Sequence, residues 1–313
     1  MKLQEYNSLE EKSKFFKENN TIDTLPKLKE CLDNLHNNNQ LLFRGVNNAK
    51  YKLFCSMQRK WLSDNIQLNF KLSYSDYINA LLQNHKQIIE RFGIENFPIW
   101  QNDWNSLAFL QHYGAPTPFI DFTTDVDVAL FFGTHNLSLN SEDNVDGYFS
   151  IYWLCPEDND IFKMSTLLAR VRDDVEPKLK NKQLPSSNKV GNYISYIEII
   201  NHLANNILWI DSKTIPPIMD EENYLDFNLL TKNPNMIAQK GELFAMQIGD
   251  KPLEEILANK LCCANIRKSL VPYIQRYLID KDITSNSIFP SFEQIAKQCI
   301  ETTDISLSIN SLK

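Results

Sequence analysis

Glycine is nearly absent from this chain. There are 8 among 313 residues, where ordinary usage of roughly 7 % gives about 22. A fold that cradles phosphates on a glycine-rich turn needs GxGxxG or GxxxxGK followed by Ser or Thr, and neither can be written anywhere in the sequence. The dinucleotide fingerprint of doubly wound folds and the P-loop are both excluded. Three of the glycines stand in compact, unusual segments: LFRGV with Gly45, LQHYGAPTPFIDFTTDVDVALFF with Gly114, and AQKGELF with Gly241. Arginine is also thin. The full set is Arg44, Arg59, Arg91, Arg170, Arg172, Arg267 and Arg276, and the rest of the 32 basic groups are lysines. An Arg in such a background either follows the compositional bias or is kept for a planar donor fork that Lys cannot supply.

The formal net charge is −7, with 43 % hydrophobic and 23 % charged residues. A full core is affordable, and a surface that grips nucleic acid over its whole area is disfavoured, because phosphate neutralisation needs a basic face. The first residues, MKLQEYNSLEEKSKFF, are charged throughout, and no apolar run reaches membrane-spanning length. A location off the membrane, in the cytoplasm, is expected. Cys31, Cys55, Cys155, Cys262, Cys263 and Cys299 form no CxxC pair, so reduced core thiols are expected and no metal site.

Hydrophobic spacing and caps predict an α+β fold, with mixed or antiparallel β-structure holding a cleft and surrounded by helices. Ser8 with Glu11 opens a predicted helix over 8–20, and a second runs from Pro26 to about Leu35. Strands are expected at 41–46, 119–122, 147–155, near 207–210, at 242–248 and at 260–266. Further helices are expected at 75–92, 104–113, 125–135, 194–206, 252–259, 267–280 and 291–300. The mixed-charge stretch 156–192 reads as an inserted loop or lid. Residues 1–40 read as a helical N-terminal extension, 41–250 as the main domain, and 251–313 as an αβα extension packed on it.

Within 41–250 the residues carry a resemblance. Phe43-Arg44-Gly45, then Arg59, then Gln111-His112-Tyr113-Gly114, Pro116-Thr117, Asp121-Phe122-Thr123 and Ala129-Leu130-Phe131-Phe132, then Gln239-Lys240-Gly241 with Phe244, resemble the FRG-domain family, a mostly bacterial group named for its Phe-Arg-Gly tripeptide. Ser287-Ile288-Phe289-Pro290 is similar to a C-terminal feature of that family. Two departures stand out: Pro118 and Asn235 occupy places where the family usually has arginine, which puts anion contacts there in doubt. The order of an Arg-Gly strand, a Thr-bearing strand with a helix after it, and a late acid-bearing strand resembles ADP-ribosyltransferases.

That second resemblance implies NAD as substrate, with nucleic acid or protein as target, in a toxin, stress or phage-defence setting. It implies Arg44 on the phosphates, where a bidentate donor suits, with Gly45, Arg59, His112, Asp121, Thr124 and Gln239 as further binding residues. Thr123 and Thr124 would hold the ribose. Glu242 would stabilise positive charge growing on the sugar. The alternative is a non-catalytic nucleotide or nucleic-acid binding module. Plainer roles compete residue by residue: Arg44 as a structural partner of Asp121 or Glu242, a Thr123 or Thr124 helix cap, Glu242 as an exposed strand start, His112 as a satisfied ring. Lys50, Lys52, Arg59 and Lys60 among Tyr51, Phe54 and Trp61 would suit a single strand, or a solvated face.

Overall fold

The computed structural model describes residues 3–92, 103–137, 144–159, 161–181, 207–211, 218–219, 224–225 and 234–291. The fold is α+β. Eight strands form one mixed sheet, here numbered in chain order: β1 (Glu18–Ile22), β2 (Leu42–Val46), β3 (Phe119–Thr123), β4 (Tyr148–Leu154), β5 (Phe162–Lys163), β6 (Ile207–Ile210), β9 (Gly241–Met246) and β10 (Cys262–Arg267). A separate two-stranded ribbon holds β7 (Ile218–Met219) and β8 (Tyr224–Leu225). The order across the sheet is β1-β10-β4-β2-β3-β9-β6-β5. The β1–β10 and β5–β6 pairs are parallel, and the others antiparallel.

β4 explains the sheet's depth. Every residue of YFSIYWL is buried, which is why this strand reads as a continuous apolar run with no polar face. Its side chains alternate between two cores. Phe149, Ile151 and Trp153 pack with Leu28, Leu130, Val271 and Ile274 beneath helices Leu25–His36, Val126–Thr134 and Val271–Asp280. Tyr152 and Leu154 belong to the opposite core with Met57, Trp61, Trp104 and Leu107. The adjacent Cys262 and Cys263 fall one into each core. The described cysteines are all free.

Two expectations need correction. The N-terminal helix is only Leu9–Ser13, capped by the Ser8 hydroxyl as predicted. Residues 18–22 pair with β10 instead of continuing the helix, because Ile22 gains a buried place and Asn265 Nδ2 donates to Asn19 Oδ1 at 2.8 Å. Within 156–192, residues Met164–Lys180 are helical rather than a loop. Met164 and Leu168 anchor that helix in the core, and Asp211 accepts from Ser165 N at its first turn. Arg59 follows the extended stretch 52–55 and sits on helix Ser56–Ser63. The predicted helices 194–206 and 291–300, apart from Ser291, and residues 160 and 182–192 of the 156–192 stretch lie outside the described residues. Strands β1 and β10, from outside 41–250, complete the same sheet. No described helix is long and apolar enough to cross a membrane.

Candidate functional site

The Phe-Arg-Gly tripeptide divides three tasks among three consecutive residues of β2. Phe43 is 2 % exposed and fills the core beneath helix Val126–Thr134. Gly45 lets that helix lie directly on the strand: a Cβ there would stand 1.8 Å from the Ala129 carbonyl oxygen. Arg44, between them, points its guanidinium toward β3 and donates from Nη1 to the Asp121 carbonyl at 2.6 Å.

That hydrogen bond spans a fork in the sheet. β2 and β3 are paired only at Phe43 and Thr123. Beyond that pair the strands part, so the Asp121 carbonyl receives a side-chain donor where a continuous ladder would supply a backbone N–H. At the fork lies a cavity of about 690 Å³, within the usual range for small-molecule sites. Arg44, Gly45, Arg59, Gln111, His112, Asp121, Thr123, Asn235, Gln239 and Gly241 line it, with Phe54, Phe122, Phe132 and Phe289 as apolar wall. The N-terminal segment Leu3–Glu5 contributes a further wall, held by a bridge between Glu5 and Tyr51 and by Tyr6 N donating to the Lys50 carbonyl at 2.8 Å.

Two guanidinium groups face this space with most of their donors uncommitted. Among the described residues, Arg44 donates to the Asp121 carbonyl and Arg59 Nη1 donates to the Phe54 carbonyl at 2.7 Å. Arg44 Nε is shielded from solvent and has no hydrogen-bond partner among the described residues. Burial draws the Arg44 group below its ordinary value, an effect opposed by Asp121 and reinforced by Arg59. Asp121 keeps solvent contact through the cavity, yet the surrounding protein pushes its carboxyl above the ordinary value, against the pull of Arg44 and of the Gln111 hydrogen bond. No ion pair joins Arg44 to the Asp121 carboxylate within 4.0 Å, since the guanidinium takes the carbonyl instead.

The remaining candidates separate into two groups. Gly45, Arg59, His112 and Gln239 stand on the wall beside Arg44 and Asp121. His112 is exposed, and partial burial lowers its pKa, which favours the neutral ring. Asn235 Nδ2 lies 3.1 Å from His112 Nε2, so the residue that replaces the usual arginine still reaches the site. Thr123 lines the cavity, but its hydroxyl is already engaged: it donates to the Gln239 carbonyl at 2.7 Å and accepts from Asp125 N at 3.1 Å. The helix cap is Asp125, which accepts from Asp127 N at 2.9 Å. Thr124 is exposed and does not line the cavity; its backbone N–H donates to the Lys240 carbonyl at 3.2 Å.

Glu242 is not brought to this space. Gly241 and Leu243 line the cavity while Glu242, with the opposite pleat direction, is 5 % exposed and accepts from Trp209 Nε1 at 3.1 Å. It is neither an exposed strand start nor a partner of Arg44. The lysines of the basic-aromatic segment are likewise committed: Lys50 pairs with Asp146 at 3.1 Å, Lys52 with Glu255 at 2.8 Å and Lys60 with Asp64 at 2.6 Å. Phe54 and Trp61 are buried while Tyr51 is 42 % exposed, and Tyr51 and Phe54 reach the cavity wall, so the three rings do not form one open stacking surface.

Three residues of the quoted motifs take part in the site without having been expected there. Thr117, fully buried, donates its hydroxyl to Gln111 Oε1, and Gln111 Nε2 donates to Asp121 Oδ1. Both stand within the segment around Gly114, where a buried polar residue beside a carboxylate was the available signal. Phe289, far along the chain, reaches the wall and packs its ring against Phe131 and Phe132. Among the described residues no group of three or more His, Cys, Asp or Glu could hold a metal ion.

The model of the FRG domain matches residues 39–142, a span that contains the tripeptide, Arg59, the Thr117–Gln111–Asp121 series and helix Val126–Thr134. This supports the FRG-domain resemblance. No curated protein and no solved structure matches the chain.

Proposed function

We propose that this FRG-domain protein uses the fork cavity to bind a small anionic ligand of the nucleotide class. The observation that carries the reading is Arg44: a guanidinium at the mouth of a sheet fork, with a solvent-shielded Nε that no acceptor among the described residues satisfies. Such a nitrogen costs of order 1–3 kcal/mol when unpaired. A phosphate set against the guanidinium edge removes that cost, because the planar fork matches its oxygens bidentately. Arg59 supplies a second donor, and the apolar wall with Phe54 and Phe122 suits a base or ring.

Recognition is favoured over ADP-ribosyl transfer by the position of Glu242. An acid that stabilises a cationic sugar must face it, and Glu242 instead holds Trp209 inside the protein. Thr123, committed at both ends of its hydroxyl, is a structural joint between β3 and the Gln239 turn.

The test is thermal stabilisation by NAD⁺, ADP-ribose, AMP and short oligonucleotides, with free nicotinamide followed in parallel. A ligand at about 100 times its Kd adds about 2.7 kcal/mol to the folded state. Stabilisation by mononucleotide or dinucleotide is expected, without nicotinamide release. Arg44→Ala should weaken binding about 10- to 100-fold, the loss of charge-assisted hydrogen bonds. A wild-type protein that no member of the set stabilises refutes the binding reading. Sustained nicotinamide release that Glu242→Gln abolishes restores the transferase.

A further inference from the structure

Resting on the reading of the cavity as a ligand site, we infer that Asp121 is its specificity-determining carboxylate. It selects, among anionic ligands, those that also carry a hydroxyl donor beside the anionic group, and Thr117 with Gln111 positions it for this.

The geometry holds Asp121 at both ends while leaving its charge available. Its carbonyl is fixed by Arg44 Nη1 at 2.6 Å. The carboxylate is met through Oδ1 by Gln111 Nε2, whose amide is oriented in turn by the Thr117 hydroxyl at Oε1. Thr117 is wholly buried, and a hydroxyl that donates to the amide oxygen leaves only the NH₂ side of Gln111 to face Asp121. Gln111 is the one side chain among the described residues that hydrogen-bonds the carboxylate, and no basic group pairs with it within 4.0 Å. An ionised carboxylate is an acceptor only, with capacity beyond a single amide N–H. It faces the cavity with solvent contact.

A carboxylate in a site for anions is costly unless something uses it. Beside Arg44 and Arg59 it weakens the field that attracts a phosphate, so a bare anion is bound less tightly than the two guanidinium groups alone would allow. A ligand that brings an O–H donor turns the same group into a contact, and a ligand without one leaves the acceptor desolvated and unpaired. Discrimination of this kind exceeds what an apolar pocket achieves, because the penalty falls on the mismatched ligand. A sugar phosphate with free ring hydroxyls fits; inorganic pyrophosphate and a dideoxy sugar do not.

The experiment measures binding of three probes, AMP, 2′,3′-dideoxy-AMP and pyrophosphate, to wild type and to Asp121→Asn and Thr117→Val. Wild type should prefer AMP over the dideoxy compound by about 10-fold or more. In Asp121→Asn the amide oxygen can keep the Gln111 contact while its NH₂ turns to the cavity. That exchanges an acceptor for a donor and removes a negative charge. The AMP preference should therefore collapse, and pyrophosphate should bind several-fold more tightly than to wild type. A residue that merely braces the fold would weaken all three probes together. Thr117→Val, nearly isosteric, should reduce the AMP preference with little change for pyrophosphate. An Asp121→Asn protein that keeps the wild-type preference overturns the inference while the binding reading stands. Failure of every probe to bind wild type removes that reading and the inference with it.

Discussion

Replacing Gly45 with alanine is expected to abolish the native fold or to lower its stability by more than about 4 kcal/mol, a loss beyond ordinary point substitutions. The added Cβ would lie 1.8 Å from the Ala129 carbonyl oxygen and 2.6 Å from Gly133 N, both backbone atoms of helix Val126–Thr134. No side chain can swing aside to relieve this contact, so the whole helix must lift from β2. It is not free to do so. Val128, Ala129 and Leu130 are buried against β2 and its core. Asp127 ties the helix to two others, accepting from Tyr277 at 3.0 Å and from Lys281 at 2.6 Å, with His36 Nε2 at 3.0 Å. Moving the helix therefore breaks three anchors as well as its packing. At roughly 2.1 cal/mol/K of unfolding entropy per residue, such a loss corresponds over this chain to a fall in melting temperature of at least about 6 °C. Gly241→Ala is the control, since its Cβ would meet nothing nearer than 3.4 Å and its effect should stay small. A Gly45→Ala protein that melts within about 2 °C of wild type would contradict the packing described for the tripeptide.

The reach of the sequence followed the range of the forces involved. Elements governed by local signals were legible: the Ser8 cap, the stop at Gly114 with its positive φ of 83°, and the buried run of β4. Arg44, Arg59, His112, Asp121 and Gln239 do share one space, which their place in a recognisable motif series anticipated. What failed depended on long-range pairing or on a pleat direction. Residues 18–20 have helix-compatible neighbours, but a partner some 240 positions away makes them strand. Glu242 heads a correctly read strand, yet the register Phe122↔Glu242 places it on the opposite pleat from Asp121 and Leu243. A shift of one residue decides whether a strand acid faces a site or a core. Mixed charge along 164–180 suggested a loop because the buried positions, Met164 and Leu168, are only a few among many charged ones.

Lys12 lies in none of the recognised motifs, and its truncation to alanine should cost about 3–5 kcal/mol. It is fully buried and its ammonium donates to the Ala49 carbonyl at 3.0 Å, Ser150 Oγ at 2.6 Å and Asn265 Oδ1 at 2.8 Å, filling its donor set. The Tyr152 ring lies 4.8 Å away on one side. Lys12 thereby fastens the short N-terminal helix to β4 and β10, and with it the Leu3–Glu5 wall of the cavity. Among the described residues no carboxylate lies within ion-pairing distance, so hydrogen-bonding dipoles and the Tyr152 ring hold the charge, and desolvation draws its pKa below the ordinary lysine value despite the opposing influence of Cys263 and Glu254. The sign of the pH dependence follows. Between that lowered value and the ordinary one, the unfolded chain binds more protons at this site than the folded protein, so the Lys12 contribution to stability rises with pH across the window. Lys12→Met keeps the stem volume and removes the titration, and it should cost less than the alanine variant. Urea unfolding from neutral pH up to the ordinary lysine range should show wild type gaining on Lys12→Met as pH rises. A constant difference between the two would mean that the ammonium pays no desolvation cost where it sits, and the buried network would then need another account.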